Sequence, residues 1–207
     1  MSTQPMWSWP ALDDPHLALV GNAREIGDHG RAIDGASCVV RFNNAAGFGG
    51  PAGSRVTHLA LVNRGGQARA WMEDLGFLDR PVIRQARSYL LAFPELAPDE
   101  EGAHERVCWT APLRDKLARR PVHVLPSALH DRARHLLAPH VSGTPNPSTG
   151  FLVALAIIEG RSPTLPPIDV YGFGFAGWSG HPWDAERAWF TACGEAGRLR
   201  LHPPTAS

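Results

Sequence analysis

Two short apolar runs, Leu17–Val20 and Cys38–Phe42, each stop abruptly at a turn that carries asparagine. Gly21-Asn22 follows the first and Asn43-Asn44 the second. Runs this short are bounded like strands, and without polar alternation they read as strands covered on both faces. That is the usual state of strands in a parallel sheet. In an open parallel sheet, ligands bind outside the C-terminal ends of the strands. The pattern therefore predicts two asparagines at the ligand edge. Each amide offers an acceptor and two donors on a short uncharged stem, which suits a ribose, a base or a phosphate oxygen.

The rest of the chain alternates in the same way. Strands are expected at Leu17–Val20, Cys38–Phe42, His58–Val62, Pro121–Leu125, Ile168–Tyr171 and Leu199–Leu201. Helices are expected at Ile26–Ile33, Gln67–Leu75, Ala111–Arg120, Ser127–Leu137, Phe151–Glu159 and from His181-Pro182 to Glu195, with Gly35, Gly76 and Gly197 as stops. Val82-Ile83 and Tyr89–Phe93 fit either state. Ala45–Arg55, Pro94–Gly102 and Gly172–Gly180 are glycine- or proline-rich and read as loops. This alternation predicts a single-domain α/β, Rossmann-like fold: a mainly parallel sheet with helices on both faces. Residues 1–15, with Trp7 and Trp9, are expected to form an irregular arm, residues 16–202 the domain, and residues 203–207 a tail.

Charge and cysteine usage narrow the classes. Twenty basic residues balance twenty acidic ones, so no long-range field favours nucleic acid or an anionic membrane. The longest apolar run, Phe151–Ile158, is far short of the roughly 20 residues that cross a bilayer. The first residues lack the basic and apolar regions of a secretion signal. Cys38, Cys108 and Cys193 are far apart and show no metal-ligand spacing. A cytoplasmic protein is expected, with no nucleic-acid partner, no membrane span, no metal and no cofactor.

Four stretches carry chemistry. Gly21-Asn22 with Gly27 and Gly30 places glycines between a strand and a helix, where backbone N–H groups can hold phosphate. It is not a dinucleotide fingerprint: position 23 is alanine, and the second strand ends in Asn43-Asn44 rather than an acidic residue. Pro147-Ser148-Thr149-Gly150 precedes an apolar helix, so Ser or Thr caps a positive dipole end that can receive an anion. Tyr171-Gly172-Phe173-Gly174 leaves a strand with glycines that permit close approach. His181-Pro182-Trp183-Asp184-Ala185-Glu186 places a histidine at a helix entrance, with acidic residues in the first turn. Taken singly, each pattern also fits an ordinary turn or cap.

In order and spacing these stretches resemble the sialyltransferases of glycosyltransferase family 29. The family's large motif resembles Leu19-Val20-Gly21-Asn22, then Ile33-Asp34, Val40-Arg41-Phe42-Asn43 and Gly53-Ser54-Arg55-Val56-Thr57-His58. Its small motif resembles Pro147–Gly150 through Asp169–Gly174. Its very small motif, a His and a Glu with four residues between them, resembles His181 and Glu186. No cysteine lies beside Leu17–Val20 or within Phe151–Val170, where the animal enzymes carry a disulfide, so the resemblance is to a compact bacterial-type relative. It implies a GT-A-like variant of the fold and an inverting transfer of an acidic sugar from a CMP-sugar donor to a glycan or glycolipid hydroxyl, without metal. Catalytic roles are implied for His181, as general base, and Glu186. Donor binding is implied for Gly21, Asn22, Asn43, Ser148, Thr149, Gly150, Gly172 and Gly174. Two alternatives share the fold: a non-catalytic nucleotide-binding protein and a CMP-sugar hydrolase.

Overall fold

The computed structural model describes residues 7–23, 26–96 and 107–202. The expectations for residues 1–6, 97–102 and 203–207 lie outside the described residues. Seven strands form one sheet: β1 (Leu17–Val20), β2 (Cys38–Phe42), β3 (His58–Leu61), β4 (Ser88–Leu91), β5 (Val122–Val124), β6 (Ile168–Tyr171) and β7 (Leu199–His202). Their order is β5-β4-β3-β2-β1-β6-β7, and every neighbouring pair is parallel. The fold is therefore α/β and Rossmann-like, with a wholly parallel sheet. β1, β2 and β4 are buried at every position, which explains why they are apolar apart from Arg41 and Ser88. The undecided segment at Tyr89 is a central strand, and Val82-Ile83 belongs to a helix.

Among the described residues, seven α-helices cover the sheet: α1 (Gly30–Gly35), α2 (Gly65–Glu73), α3 (Pro81–Gln85), α4 (Thr110–Lys116), α5 (Ser127–Leu137), α6 (Thr149–Gly160) and α7 (Trp183–Glu195). On one face Leu17, Leu19, Val40, Phe42, Ile168 and Val170 pack with α5, α6 and α7, together with Trp9 and Leu12 of the N-terminal arm. On the other face, α1 covers Ala18, Val20 and Val39, while α2, α3 and α4 cover Leu59, Leu61 and Leu91. α6 is apolar all round and buried from Phe151 to Ile158, as a helix between a sheet and other helices must be. Truncating Phe151 to Ala would cost about 3–5 kcal/mol. α7 ends as its sequence demands: Gly197 takes φ +70, and the Arg198 and Gly197 N–H groups bond back to Cys193 and Gly194, a glycine-terminated helix stop. The first helix departs from the expectation of Ile26–Ile33. Gly27 takes φ +79 and breaks the backbone, so α1 starts only at Gly30.

A buried arginine orders the loop between β2 and β3. Arg41 is fully buried on β2; its Nε donates to the Arg55 carbonyl at 2.8 Å and its Nη2 to the Ala52 and Gly53 carbonyls. The guanidinium also sits 5.0 Å from the Phe48 ring centre. Burial pulls its pKa down to about 10. Asp34, at the end of α1, accepts from the Ser54 and Arg55 N–H groups at 2.9 and 2.8 Å. Burial works against the Asp34 carboxylate, but those hydrogen bonds outweigh it and hold its pKa below the ordinary value. Gly53 is required here: it takes φ +75, and a Cβ would lie 2.4 Å from Asp34 Oδ1. Thr57 completes the set, exchanging hydrogen bonds with the Val39 N–H and carbonyl at the start of the strands.

Candidate functional site

The chain lays β1 to β5 successively to one side, then crosses back through α5 and α6 to place β6 on the other side of β1. The direction of winding reverses between β1 and β6, which is where an open α/β sheet forms its ligand crevice. The stretches singled out in the sequence meet around this point. Gly21-Asn22 leaves β1 and Gly172-Phe173-Gly174 leaves β6. The Gly21 and Ala23 N–H groups donate to the Tyr171 and Gly172 carbonyls. A Cβ on Gly21 would lie 2.4 Å from the Gly172 carbonyl oxygen, and one on Gly172, at φ +66, would lie 2.6 Å from Ile26 Cδ1. Both glycines are thus demanded by chain meeting chain. Gly174 has only the Ala23 Cβ near it, at 3.7 Å. Phe173, which sequence reading left unassigned, fills the centre. Its ring lies against Phe42 and Phe190 and 2.9 Å from where a Cβ on Gly150 would stand, so it locks α6 to the strand ends.

The asparagines act first on the sheet itself. Asn22 Nδ2 donates to the Phe42 carbonyl at 3.1 Å, and its Oδ1 accepts from the Ala46 N–H at 2.9 Å. Asn43, at φ 53, accepts from the Val62 N–H at 2.8 Å. Asn63, which sequence reading missed, exchanges both bonds with Phe93 and donates to Thr110 Oγ1 at 2.6 Å. Each asparagine, one or two residues past its own strand, pins the exit of the next strand. The Phe42 carbonyl also accepts from the Ala45 N–H, but the Val62 and Phe93 groups lie beyond the last ladder bond, where buried backbone needs such a partner. The signal was present in the repeat of asparagine after β1, β2 and β3. Asn22 stays exposed and Asn43 half-buried, and the Asn43 Nδ2 makes no hydrogen bond among the described residues. Both keep capacity for a ligand.

Ser148 is the N-cap of α6 and accepts from the Phe151 N–H at 3.1 Å. Its own N–H and hydroxyl donate to the two carboxyl oxygens of Glu186, each at 2.7 Å. The Ser148 hydroxyl proton is therefore committed to Glu186. Among the described residues, the N–H groups of Thr149 and Gly150 have no hydrogen-bond partner and remain the open donors of the first turn. Glu186 is 1% exposed. Burial pushes its pKa up to about 7, against the two Ser148 bonds that favour the ionised form. No hydrogen bond joins Glu186 to His181 among the described residues; the carboxyl ties the start of α7 to the start of α6.

His181 closes the site from the α7 side. Its Nδ1 lies 2.8 Å from the Asn146 carbonyl oxygen, on the turn that leads into α6. A carbonyl only accepts, so Nδ1 carries the proton and Nε2 is left with a lone pair. Burial lowers the His181 pKa from its ordinary value, outweighing the Asn146 bond, and so favours the neutral ring. Trp178 and Trp183 flank it edge-on, each with ring centres at 5.0 Å. A separate cavity of about 350 Å3 lies at the opposite edge of the sheet, lined by Asp14, His58, Arg87, Ser88 and His123 among others. It touches none of the residues above.

No family model matches the chain. It is 29% identical over 209 residues to the urease operon 23 kDa accessory protein of Rhizobium meliloti (strain 1021), spanning 92% of this chain and 94% of that protein. Among solved structures it is similar to a mammalian sialyltransferase in complex with Gal-beta-1-3GalNAc-ortho-nitrophenol, with a TM-score of 0.52 at 17% identity over 89% of this chain and 68% of that one. It is similar to the alpha-2,3-sialyltransferase of Campylobacter jejuni, with a TM-score of 0.56 at 7% identity over 91% and 75%. A sialyltransferase, CST-II, in complex with CMP gives 0.57 at 9% identity over 91% and 80%. At such identities the likeness is one of fold: the chain has the α/β, Rossmann-like fold of the sialyltransferases.

Proposed function

We propose that this chain is an inverting glycosyltransferase, related to the family 29 sialyltransferases, that moves an acidic sugar from a CMP-sugar donor to a hydroxyl of a glycan or glycolipid. The observation that carries the reading is the His181–Asn146 pair. It holds a neutral imidazole, with Nε2 as acceptor, at the turn that opens the N-terminus of α6. In this reading the donor lies in the crevice between β1 and β6. Thr149 and Gly150 N–H groups, at a positive helix end, take a donor anion, and the Asn22 and Asn43 amides take the phosphate or ribose. Gly172 and Gly174 border the cytidine. His181 Nε2 removes the acceptor hydroxyl proton as that oxygen attacks the anomeric carbon. The bond from that carbon to the CMP phosphate oxygen breaks, its electron pair leaves with CMP, and the configuration inverts. Glu186 acts as a positioning residue, holding α7 and its histidine against Ser148.

A CMP-sugar carries a singly charged phosphate as leaving group, so backbone N–H groups and amides suffice as its electrostatic partners, and turnover is expected to survive a chelator. The reading also includes a cytoplasmic setting. The experiment is CMP release from CMP-sialic acid with and without lactose. Release that needs lactose, and falls about 10²–10⁴-fold in His181→Ala with CMP binding retained, supports the proposal. Release without acceptor favours a hydrolase. A second reading, a non-catalytic nucleotide-binding protein, is favoured by two facts: the similar protein of Rhizobium meliloti is named as an accessory protein, and the Ser148 hydroxyl is already engaged. CMP binding without any turnover would select it.

A further inference from the structure

On the face of the sheet that packs α5 and α6, the apolar surface stops short of the strand starts. Residues two apart on a strand share a face. His58 is therefore in line with the core residue Ala60, and Ser88 with Leu90, while Leu90 is in register with His123. Three polar side chains stand where the strand pattern calls for apolar ones. All three line the cavity of about 350 Å3, together with Asp14, Arg87 and two prolines, Pro10 and Pro121. Ser88 is 5% exposed, and its Oγ lies 2.6 Å from His58 Nδ1. The Trp9 ring meets the same imidazole edge-on, with centres 5.0 Å apart. The cavity thus has a fixed polar floor.

Its charges are not matched within the chain. Among the described residues the Arg87 guanidinium and the His123 ring make no hydrogen bond or ion pair, and His58 Nε2 has no partner. Asp14 is the one acid among the described residues of the lining, and its Oδ1 already accepts from the Ser37 hydroxyl and the His16 N–H. Burial, then His123 and Arg87, pull the His58 pKa down to about 4, and Asp14 opposes them more weakly. At the floor the cations outweigh the acid. We propose that this cavity is a binding site for a small organic carboxylate, with its anionic group on Arg87 and His123 and its apolar body against Pro10 and Pro121. A guanidinium offers parallel N–H donors that match the two oxygens of a carboxylate. A doubly charged phosphate meets twice the repulsion from Asp14, and a cation meets Arg87. The volume is near the low end of the roughly 300–1,000 Å3 usual for small-molecule sites. The site lies at the strand starts, across the sheet from the crevice, and does not rest on the transferase reading.

The test is calorimetric titration of sodium benzoate, sodium butyrate and inorganic phosphate, with benzamide as the uncharged control, into wild type, Arg87→Gln and His123→Gln at constant ionic strength. Arg87 is exposed and His123 half-buried, so both variants should fold as wild type does. Saturable binding of benzoate or butyrate is expected, weakened about tenfold in Arg87→Gln and less in His123→Gln. Benzamide should not bind. In 15N spectra the ring nitrogens of His58 and His123 should shift over the same range of carboxylate concentration, while those of His181 stay still. The site is refuted if neither carboxylate binds wild type, or if Arg87→Gln binds as wild type does. Benzamide binding as tightly as benzoate would refute the role of charge. Phosphate binding more tightly than both carboxylates would overturn the ligand class.

Discussion

Glu186→Gln should change how stability depends on pH, and by an amount the structure allows one to work out. The glutamine keeps the shape of the side chain but cannot ionise. In the wild type the Glu186 pKa rises from 4.5 to about 7 on folding. At about 1.4 kcal/mol per unit, this corresponds to about 3 kcal/mol. Below pH 4.5 the carboxyl is protonated in both states, and its contribution is fully present. Between pH 4.5 and 7 the native state holds a proton that the unfolded chain releases, so stability falls as pH rises. Above pH 7 the loss is complete. Two histidines, the half-buried His58 and the buried His130, act in the other direction. Burial brings His58 and His130 down to about 4, so their contribution grows as pH rises from 4 to 6.5. In wild type the opposing slopes cancel in part; in Glu186→Gln the histidine slope is unmasked. Urea unfolding read by circular dichroism at half-unit steps from pH 4.5 to 8 gives both curves. The stability of the variant minus that of wild type should rise by about 3 kcal/mol between pH 4.5 and 7 and then level off. Parallel curves would mean that the carboxyl is not desolvated, and that the α6–α7 junction is not closed as described.

Asn63→Ala should destabilise the protein by about 3 kcal/mol, because it leaves the buried Phe93 N–H and carbonyl without partners. Asn22→Ala, at an exposed position, should cost about 1 kcal/mol; equal losses in urea would undo the distinction. Gly172→Ala should cost about 2 kcal/mol or more, through its positive φ and its contact with Ile26, and it should lower the thermal midpoint. Turnover plotted against pH should rise through a pKa lower than the ordinary histidine value, because burial favours the neutral His181 ring. A rise centred above pH 7 would assign the base elsewhere.

The strands were legible because parallel strands covered on both faces are mostly apolar runs, interrupted in β2 by Arg41 and in β6 by Asp169. The boundaries of β1, β2 and β6 in the fold match those runs residue for residue. α1 was not placed correctly, since Ile26 and Ile33 mimic a helical stripe across a glycine that turns the chain away. What the motif residues do was less legible, because their partners are distant. Asn22 meets Phe42, Asn43 meets Val62, and Asp34 meets Ser54. Much of the stretch from Leu19 to His58 is thus a clamp around the β2–β3 loop and the strand exits. Glu186 pairs with His181 in sequence through the resemblance to the very small motif and its place in the first turn after the histidine. Its position on the inward stripe with Phe190 and Cys193, at helical spacing, was the available sign that it points to Ser148 instead. The packing of Phe173 over Gly150 joins segments more than twenty residues apart, and no local pattern announces it.

The central claim is that the crevice between β1 and β6 receives CMP with His181 facing it. Titrating unlabelled CMP into 15N-labelled protein tests this directly, through the backbone amides of Gly21, Thr149, Gly150, Gly172 and Gly174 and the ring nitrogens of His181. Saturable shifts at the amides, with the His181 resonances moving at the same CMP concentration, are the expected result. Shifts confined to His58, Ser88 and His123 at the opposite edge of the sheet, or none at all, would contradict it.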